Sequence, residues 1–324
     1  MRNEKLILLT GSTGFIGLSI AQHLHQQGHA LTTVARRLTD ILPPNIQQTR
    51  IDDLLSNIDW THNLNGVDTI IHLAARTHVM HDTVSDPLTE FRRTNTFATL
   101  NLAQQAAAAG VRRLIYISSI KVNGEVTVKG KPFTVDTSFT PSELEPYAQS
   151  KQEAEQGLIK IAQQTDLEIV IIRPPLVYGK GVKGNFRSMM DWLHKGRYLP
   201  LGSIHNQRSL VALPNLIDLI TTCIHHPAAS NQTFLVSDGE DLSTTELLQR
   251  LSYALGKPDR LLPIPQSWLE TGLTLVGKHF IAQRLFGNLQ VDISKTRNVL
   301  SWIPPVSIDE ALRQTAEAYL QSRH

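Results

Sequence analysis

Residues 6–17, LILLTGSTGFIG, constrain the fold more than any other stretch of the 324-residue chain. Four apolar residues, Leu6 to Leu9, run into three glycines, Gly11, Gly14 and Gly17. A run this short, stopped by glycine, reads as a buried parallel strand rather than a helix. The next residues, Phe15 to Gln27, set Phe15, Ile16, Ile20 and Leu24 at helical spacing. Strand, glycine turn and helix form the context that a dinucleotide pyrophosphate needs. Glycines permit the tight turn and the close approach, and the free amides at the helix start meet the phosphate oxygens. The spacing is G-x-x-G-x-x-G rather than the commoner G-x-G-x-x-G. A glycine triplet also serves a plain strand-to-helix turn, so the weight rests on the flanking pattern.

The length suffices for a nucleotide-binding domain and a smaller second one. The composition, 41% hydrophobic and 19% charged, is ordinary for a soluble globular protein. A formal net charge of +2 with no basic stripe argues against nucleic acid as a partner. A single cysteine, Cys223, excludes an internal disulfide and fits a reducing, cytoplasmic setting. The N-terminal apolar run is too short for a signal-peptide core, and no stretch reaches the length of an integral membrane segment. Residues 268–286 are apolar but interrupted by Glu270, Lys278, His279 and Arg284. They read as a surface helix or a lid on the second domain, with a membrane-surface helix as the alternative.

A second strand is expected over Ala30 to Ala35. Enzymes that prefer NAD usually carry an acid about 20 residues past the glycines, where it holds the ribose 2′-hydroxyl. Between Glu4 and Asp40 this chain has no acid, and it has Arg36 and Arg37 instead. A guanidinium matches a 2′-phosphate, so NADP(H) is the favoured cofactor, with NAD(H) open if the arginines are merely solvated. After a third strand, Gln48 to Ile51, Asp53 beside Leu54 either brackets an adenine or caps a helix. The fourth strand, Thr69 to Leu73, leads into Ala74 and Ala75, small residues that leave room for a ligand. A helix from Pro87 to Ala109 stops at Gly110 and carries Asn95, a candidate tether for the neighbouring loop.

The fifth strand, Arg113 to Ile117, ends in Ser118 and Ser119, hydroxyls placed where doubly wound sheets put their chemistry. A long loop, Lys121 to Pro146, precedes a helix reaching Gln164. On it Tyr147 and Lys151 are i and i+4 and share one face. The sixth strand, Glu168 to Arg173, runs into Pro174 and Pro175, where alternating βα order weakens. These observations predict a Rossmann-type, doubly wound parallel sheet over residues 1–175 and a smaller C-terminal α/β substrate domain over 176–324. Residues 211–236 are expected to return to the first domain, with a helix over Val211 to His225 and a strand over Thr233 to Val236. Ser243 to Glu246 reads as a capping box, and a last helix starts near Ser307.

The glycine loop, the serine pair and Tyr-x-x-x-Lys, in that order, resemble an extended short-chain dehydrogenase/reductase, closest to the nucleotide-sugar epimerases, dehydratases and 4-ketoreductases. The matching stretches are TGSTGFIG (10–17), IHLAA (71–75), YISSIKVNG (116–124), YAQSK (147–151) and RPPLVYG (173–179). The resemblance implies Ser119, Tyr147 and Lys151 as catalytic residues. It implies a coenzyme site of Gly11, Thr13, Gly14, Phe15, Ile16, Gly17, Arg36, Arg37, Asp53, Leu54, Leu73, Ala74, Ala75, Asn95, Ser118, Tyr147, Lys151 and Pro174. For a UDP-sugar it implies His78, Ser119, Asn185, Phe186, Leu199, Arg208 and Arg284, and no metal. Leu176 stands where many members carry asparagine, which puts one sugar contact in doubt.

A free tyrosine titrates near pH 10. The Lys151 ammonium and an oxidised nicotinamide are both expected to favour the phenolate, so that Tyr147 works near neutral pH. The arginine pair favours net reduction, because a ketoreductase must exchange its coenzyme each cycle. RTHV (76–79), GVKGNF (181–186) and LPLGSIHNQRSLV (199–211) look most like reductases of UDP-4-keto-6-deoxy-N-acetylglucosamine. The leading expectation is therefore 4-keto reduction of such a sugar with Tyr147 as acid. The alternative is a UDP-hexose 4-epimerase, on UDP-GlcNAc or UDP-Glc, with tightly bound NAD. A non-catalytic sensor would have lost the Ser, Tyr or Lys, and none is lost. The resemblance also implies a homodimer through the helices 87–109 and 147–164.

Overall fold

The computed structural model describes residues 5–53, 57–77, 86–275, 277 and 279–323. The expected positions 54 and 78 lie outside them. The first half alternates strand and helix: β1 Leu6–Thr10, α1 Phe15–Gln26, β2 Leu31–Ala35, β3 Gln47–Arg50, the short α2 Thr61–Leu64, and β4 Val67–His72. A long helix follows in three pieces, α3 Pro87–Phe91, a π-helical stretch Arg92–Phe97, and α4 Ala98–Ala108. Then come β5 Arg113–Ile117, a 3₁₀ turn at Ile120–Asn123, α5 Pro146–Gln164 and β6 Glu168–Arg173. The expected loop 121–146 is thus not featureless: it opens in that turn, carries another at Pro141–Glu143, and bridges to the C-terminal part at Phe133 and Val291.

The second half gives β7 Leu176–Tyr178, α6 Gly184–His194, β8 Arg208–Ala212, α7 Leu213–His225, β9 Gln232–Leu235, β10 Asp241–Leu242 and α8 Thr244–Ala254. It closes with α9 Gln266–Leu275, α10 His279–Phe286, α11 Ser294–Leu300 and α12 Ile308–Gln321. One helix expectation is corrected. Val211 and Ala212 end β8, and the helix starts only at Leu213, because Pro214 fits the first turn of a helix and not its interior.

Seven parallel strands form the large sheet in the order β3-β2-β1-β4-β5-β6-β9, a Rossmann-type α/β arrangement. Its central strands are apolar on both faces, as parallel strands covered on both sides must be, while the edge strand β3 is polar and partly exposed. Alternation then sorts residues between two layers. Ile7, Leu9, Ile71 and Ile115 pack with Ile20 and Leu24 of α1 and with α7. Leu8, Ile70, Leu114 and Tyr116 pack on the other side with Leu102 of α4 and Leu158 of α5. Each such fully buried side chain is worth roughly 1.5–3 kcal/mol. A small sheet, β10-β8-β7, covers the carboxyl end of the large one. A third core of Tyr178, Phe186, Met190, Leu248, Leu251 and Leu312 holds it to α6, α8 and α12. The cleft lies at the carboxyl ends of the strands of the large sheet.

Candidate active site

The glycines act by geometry. Gly11 has φ of +75°, and a Cβ there would lie 2.8 Å from the Ala74 amide. A Cβ on Gly17 would lie 2.1 Å from the Gly11 carbonyl oxygen, so the third glycine lets α1 close onto the loop. Gly14 caps α1 with no side-chain hydrogen bond, and no acid occupies the first turn. The leading amides of α1 are therefore left for an anion.

These features open on a cleft of about 800 Å³. Its walls include Gly11, Thr13, Gly14, Phe15, Ile16 and Gly17, then Arg36, Asp53, Leu73, Ala74 and Ala75, then Ser118, Ser119, Tyr147, Lys151 and Pro174. Nearly every expected coenzyme residue among those described thus borders one cavity. Ser118 Oγ is buried there without a protein partner, as a hydroxyl awaiting a ligand would be. The uncapped helix, the orphan hydroxyl and the volume fit a dinucleotide.

Arg37 is exposed and is not part of the wall; Arg36 is exposed and is. Asp53 meets Arg93 at 3.5 Å, across from β2. Asn95 is 1% exposed, and its amide does not reach the cleft. Its Oδ1 accepts from the Arg76 amide at 2.8 Å, and its Nδ2 donates to the Arg76 carbonyl at 3.0 Å and to Ser150 Oγ at 3.1 Å. It is the tether expected, acting on the cleft wall rather than on the ligand. The π-helical turn that carries it widens the helix where that amide must point sideways.

Ser119 and Tyr147 line the same cleft, and the Ser119 hydroxyl favours the Tyr147 phenolate. Lys151 Nζ donates to the Ile117 carbonyl at 2.9 Å and lies 4.5 Å above the Tyr116 ring. The three groups therefore converge at the end of β5. Their titration differs from expectation. Burial pushes the Tyr147 phenol up to about 12, against the Ser119 hydrogen bond that pulls it down. Burial pulls the Lys151 ammonium down to about 7, against the pull of Glu155. Desolvation thus favours the neutral phenol of Tyr147 over the phenolate.

Sequence reasoning missed the layer behind these groups. His72 is fully buried, with Nδ1 2.7 Å from Thr10 Oγ1 and Nε2 2.9 Å from Thr99 Oγ1. Burial holds its imidazole near 3, so it stays neutral and braces β1, β4 and α4. A polar residue ending a strand that is otherwise apolar was the available signal. Arg76 also borders the cleft and stacks over Phe91, whose ring meets the Tyr147 ring edge-on at 5.9 Å.

Of the expected sugar-nucleotide residues, Arg208 starts β8, is half-buried, and donates to the Gly287 carbonyl at 2.9 Å. Burial and the neighbouring Arg284 both lower its affinity for its proton. The fold has thus brought the two expected arginines within reach of each other's charge. Asn185 is exposed on α6. Phe186 and Leu199 are buried in the third core, where Phe186 stacks on Tyr178 at 5.4 Å.

A family model described as the NAD dependent epimerase/dehydratase family matches residues 7–237. A UDP-glucose 4-epimerase of Vibrio cholerae is 46% identical over 321 residues, 99% of this chain and 97% of that one. The UDP-glucose 4-epimerase of Thermotoga maritima, solved with UDP-glucose, has the same fold, with a TM-score of 0.78 at 20% identity over 98% of this chain and 100% of that one. The UDP-glucuronic acid 4-epimerase of Bacillus cereus, solved with NAD, gives 0.78 at 18% identity over the same shares.

Proposed function

Because this chain belongs to the NAD-dependent epimerase/dehydratase family, we propose that it is a UDP-hexose 4-epimerase, acting on UDP-Glc or UDP-GlcNAc through a retained NAD. The observation that carries the reading is that Ser119, Tyr147 and Lys151 line one cleft together with the glycine loop. A bound nicotinamide supplies reversible hydride acceptance at C4 of the sugar. The chain supplies the proton chemistry. Tyr147 takes the C4 hydroxyl proton and gives it back, and Ser119 Oγ holds the same oxygen. Lys151 lowers the cost of the phenolate once the cleft is filled. Arg208 and Arg284 bind the diphosphate, whose charge relieves their mutual repulsion. Asn185 and the backbone near Phe186 and Leu199 line the nucleoside end. The expected contact of His78 belongs to the same reading.

A second reading, 4-keto reduction with NADP(H), is favoured by two observations. Arg36 borders the cleft where an acid would hold NAD, and the raised Tyr147 is poised as an acid. Mass analysis of the coenzyme retained on purification separates the two. Bound NAD, with interconversion of UDP-sugar epimers and no added coenzyme, supports the epimerase. Empty protein that consumes NADPH with a UDP-4-ketohexose supports the reductase. In either case Tyr147→Phe lowers the rate by roughly 10²–10⁴-fold. The protein works as a cytoplasmic homodimer in this proposal. The π-helical stretch before α4 leaves Phe97 50% exposed, and α5 leaves Ile159 44% exposed, for the partner.

A further inference from the structure

The outer helix of the C-terminal unit, α9, is apolar on two sides. Leu269 and Leu273 pack inward on the third core. Trp268 and Leu275, seven positions apart and so on one stripe, point the other way and are 71% and 81% exposed. Thr271 and Gly272 complete the outward stripe, which carries no charge, while Glu270 lies on the opposite side with Gln266 at 2.7 Å. No residue of α9 is buried. A helix whose outer stripe is Trp, Thr, Gly and Leu asks for an apolar cover.

The surroundings specify what covers it. Backbone bonds between Leu199 and both Arg260 and Leu262 lay segment 197–199 beside segment 260–262, a few residues before α9. There Tyr198 is 64% exposed with the Arg260 guanidinium 5.3 Å above its ring. Lys195 and Arg197 are exposed next to it. Against these three cations the adjoining acid is Asp259, which bonds Gln249 and the Leu261 amide. An exposed tyrosine beside arginine and lysine, in a segment that leads within a few residues into a helix with an exposed tryptophan, matches a lipid interface, whose headgroup layer accepts amphipathic rings and whose anionic lipids attract the cations. Among the described residues no helix is long and apolar enough to cross a membrane, so the contact is with the surface.

We infer that α9 and the adjoining 195–198 and 260–262 segments form a peripheral docking surface for an anionic lipid bilayer. Docking this way does not depend on which sugar is turned over. Where the proposed function holds, it has a consequence: α10, which packs on α9, carries Arg284, so the diphosphate end of the cleft sits next to the lipid.

The test is co-sedimentation of the full-length protein with vesicles containing phosphatidylglycerol, compared with phosphatidylcholine alone. The expected result is pelleting with the anionic vesicles only, reversed by high salt. Trp268→Ser with Leu275→Ser weakens it roughly tenfold or more, and Lys195→Glu with Arg197→Glu abolishes the lipid selectivity. All four positions are exposed, so circular dichroism and coenzyme retention stay unchanged. Absence of pelleting, or pelleting that survives both double variants, overturns the inference. So does concentration-dependent self-association that the Trp268 and Leu275 pair removes, since the cover would then be a second copy. Loss of turnover with intact vesicle binding would instead count against the proposed activity alone.

Discussion

At the scale of single residues, the site is governed by how little water reaches it. Lys151 is held near 7 in the fold against 10.5 in an open chain. The folded chain therefore binds fewer protons than the unfolded one between those values. Its destabilising effect is full below 7 and gone above 10.5, so stability rises with pH across that window. Each unit of the shift is about 1.4 kcal/mol. Lys151→Met should raise the melting temperature most at about pH 6 and least at about pH 9, while removing activity. Thermal melts of both proteins across that range check it. The wild-type and variant curves should converge as pH rises, and parallel curves would contradict the assignment.

At the scale of elements, the glycine loop and the π-helical turn do complementary work. Gly17→Ala would set a methyl 2.1 Å from a carbonyl oxygen that cannot move without moving β1. The expected cost is roughly 1–3 kcal/mol, with coenzyme affinity falling about tenfold to a hundredfold. Denaturant unfolding and a fluorescence titration with NAD measure the two losses. Asn95→Ala removes three hydrogen bonds and leaves the Arg76 amide and the Ser150 hydroxyl short of partners. It should cost about 1–3 kcal/mol. Because the loop it anchors is the cleft wall, coenzyme retention should fall more than the turnover of coenzyme-loaded protein, and mass analysis beside turnover assays separates the two.

At the scale of the whole molecule, the fold brings two arginines from distant parts of the chain within reach of each other's charge. Arg208 and Arg284 come from residues 76 positions apart in the chain and repel each other. Arg208→Leu should leave the ligand-free protein as stable as wild type or slightly more so. The stabilisation conferred by UDP should drop by about 1.5–3 kcal/mol, the worth of a charged hydrogen bond. Thermal-shift measurements with and without UDP give both numbers. A variant destabilised without ligand, yet fully protected by UDP, would place Arg208 in the scaffold only.

The sequence by itself determined the order of strands and helices in the first half, the glycine loop, and Ser119, Tyr147 and Lys151 as one set. The strand order and the glycine loop are written in local periodicity and in spacings within one turn or one strand, and the set of three is implied by the resemblance of the motifs that carry it. Only the tertiary structure decided the rest, since it depends on contacts across many residues. The burial that raises Tyr147 and lowers Lys151 comes from strands and helices closing on both sides of the sheet. The inward turn of Phe186 and Leu199 follows from a core that α6, α8 and α12 complete. The tie from Asn95 to Arg76, the brace of His72 between two threonines, and the meeting of Arg208 with Arg284 exist only once the chain has folded.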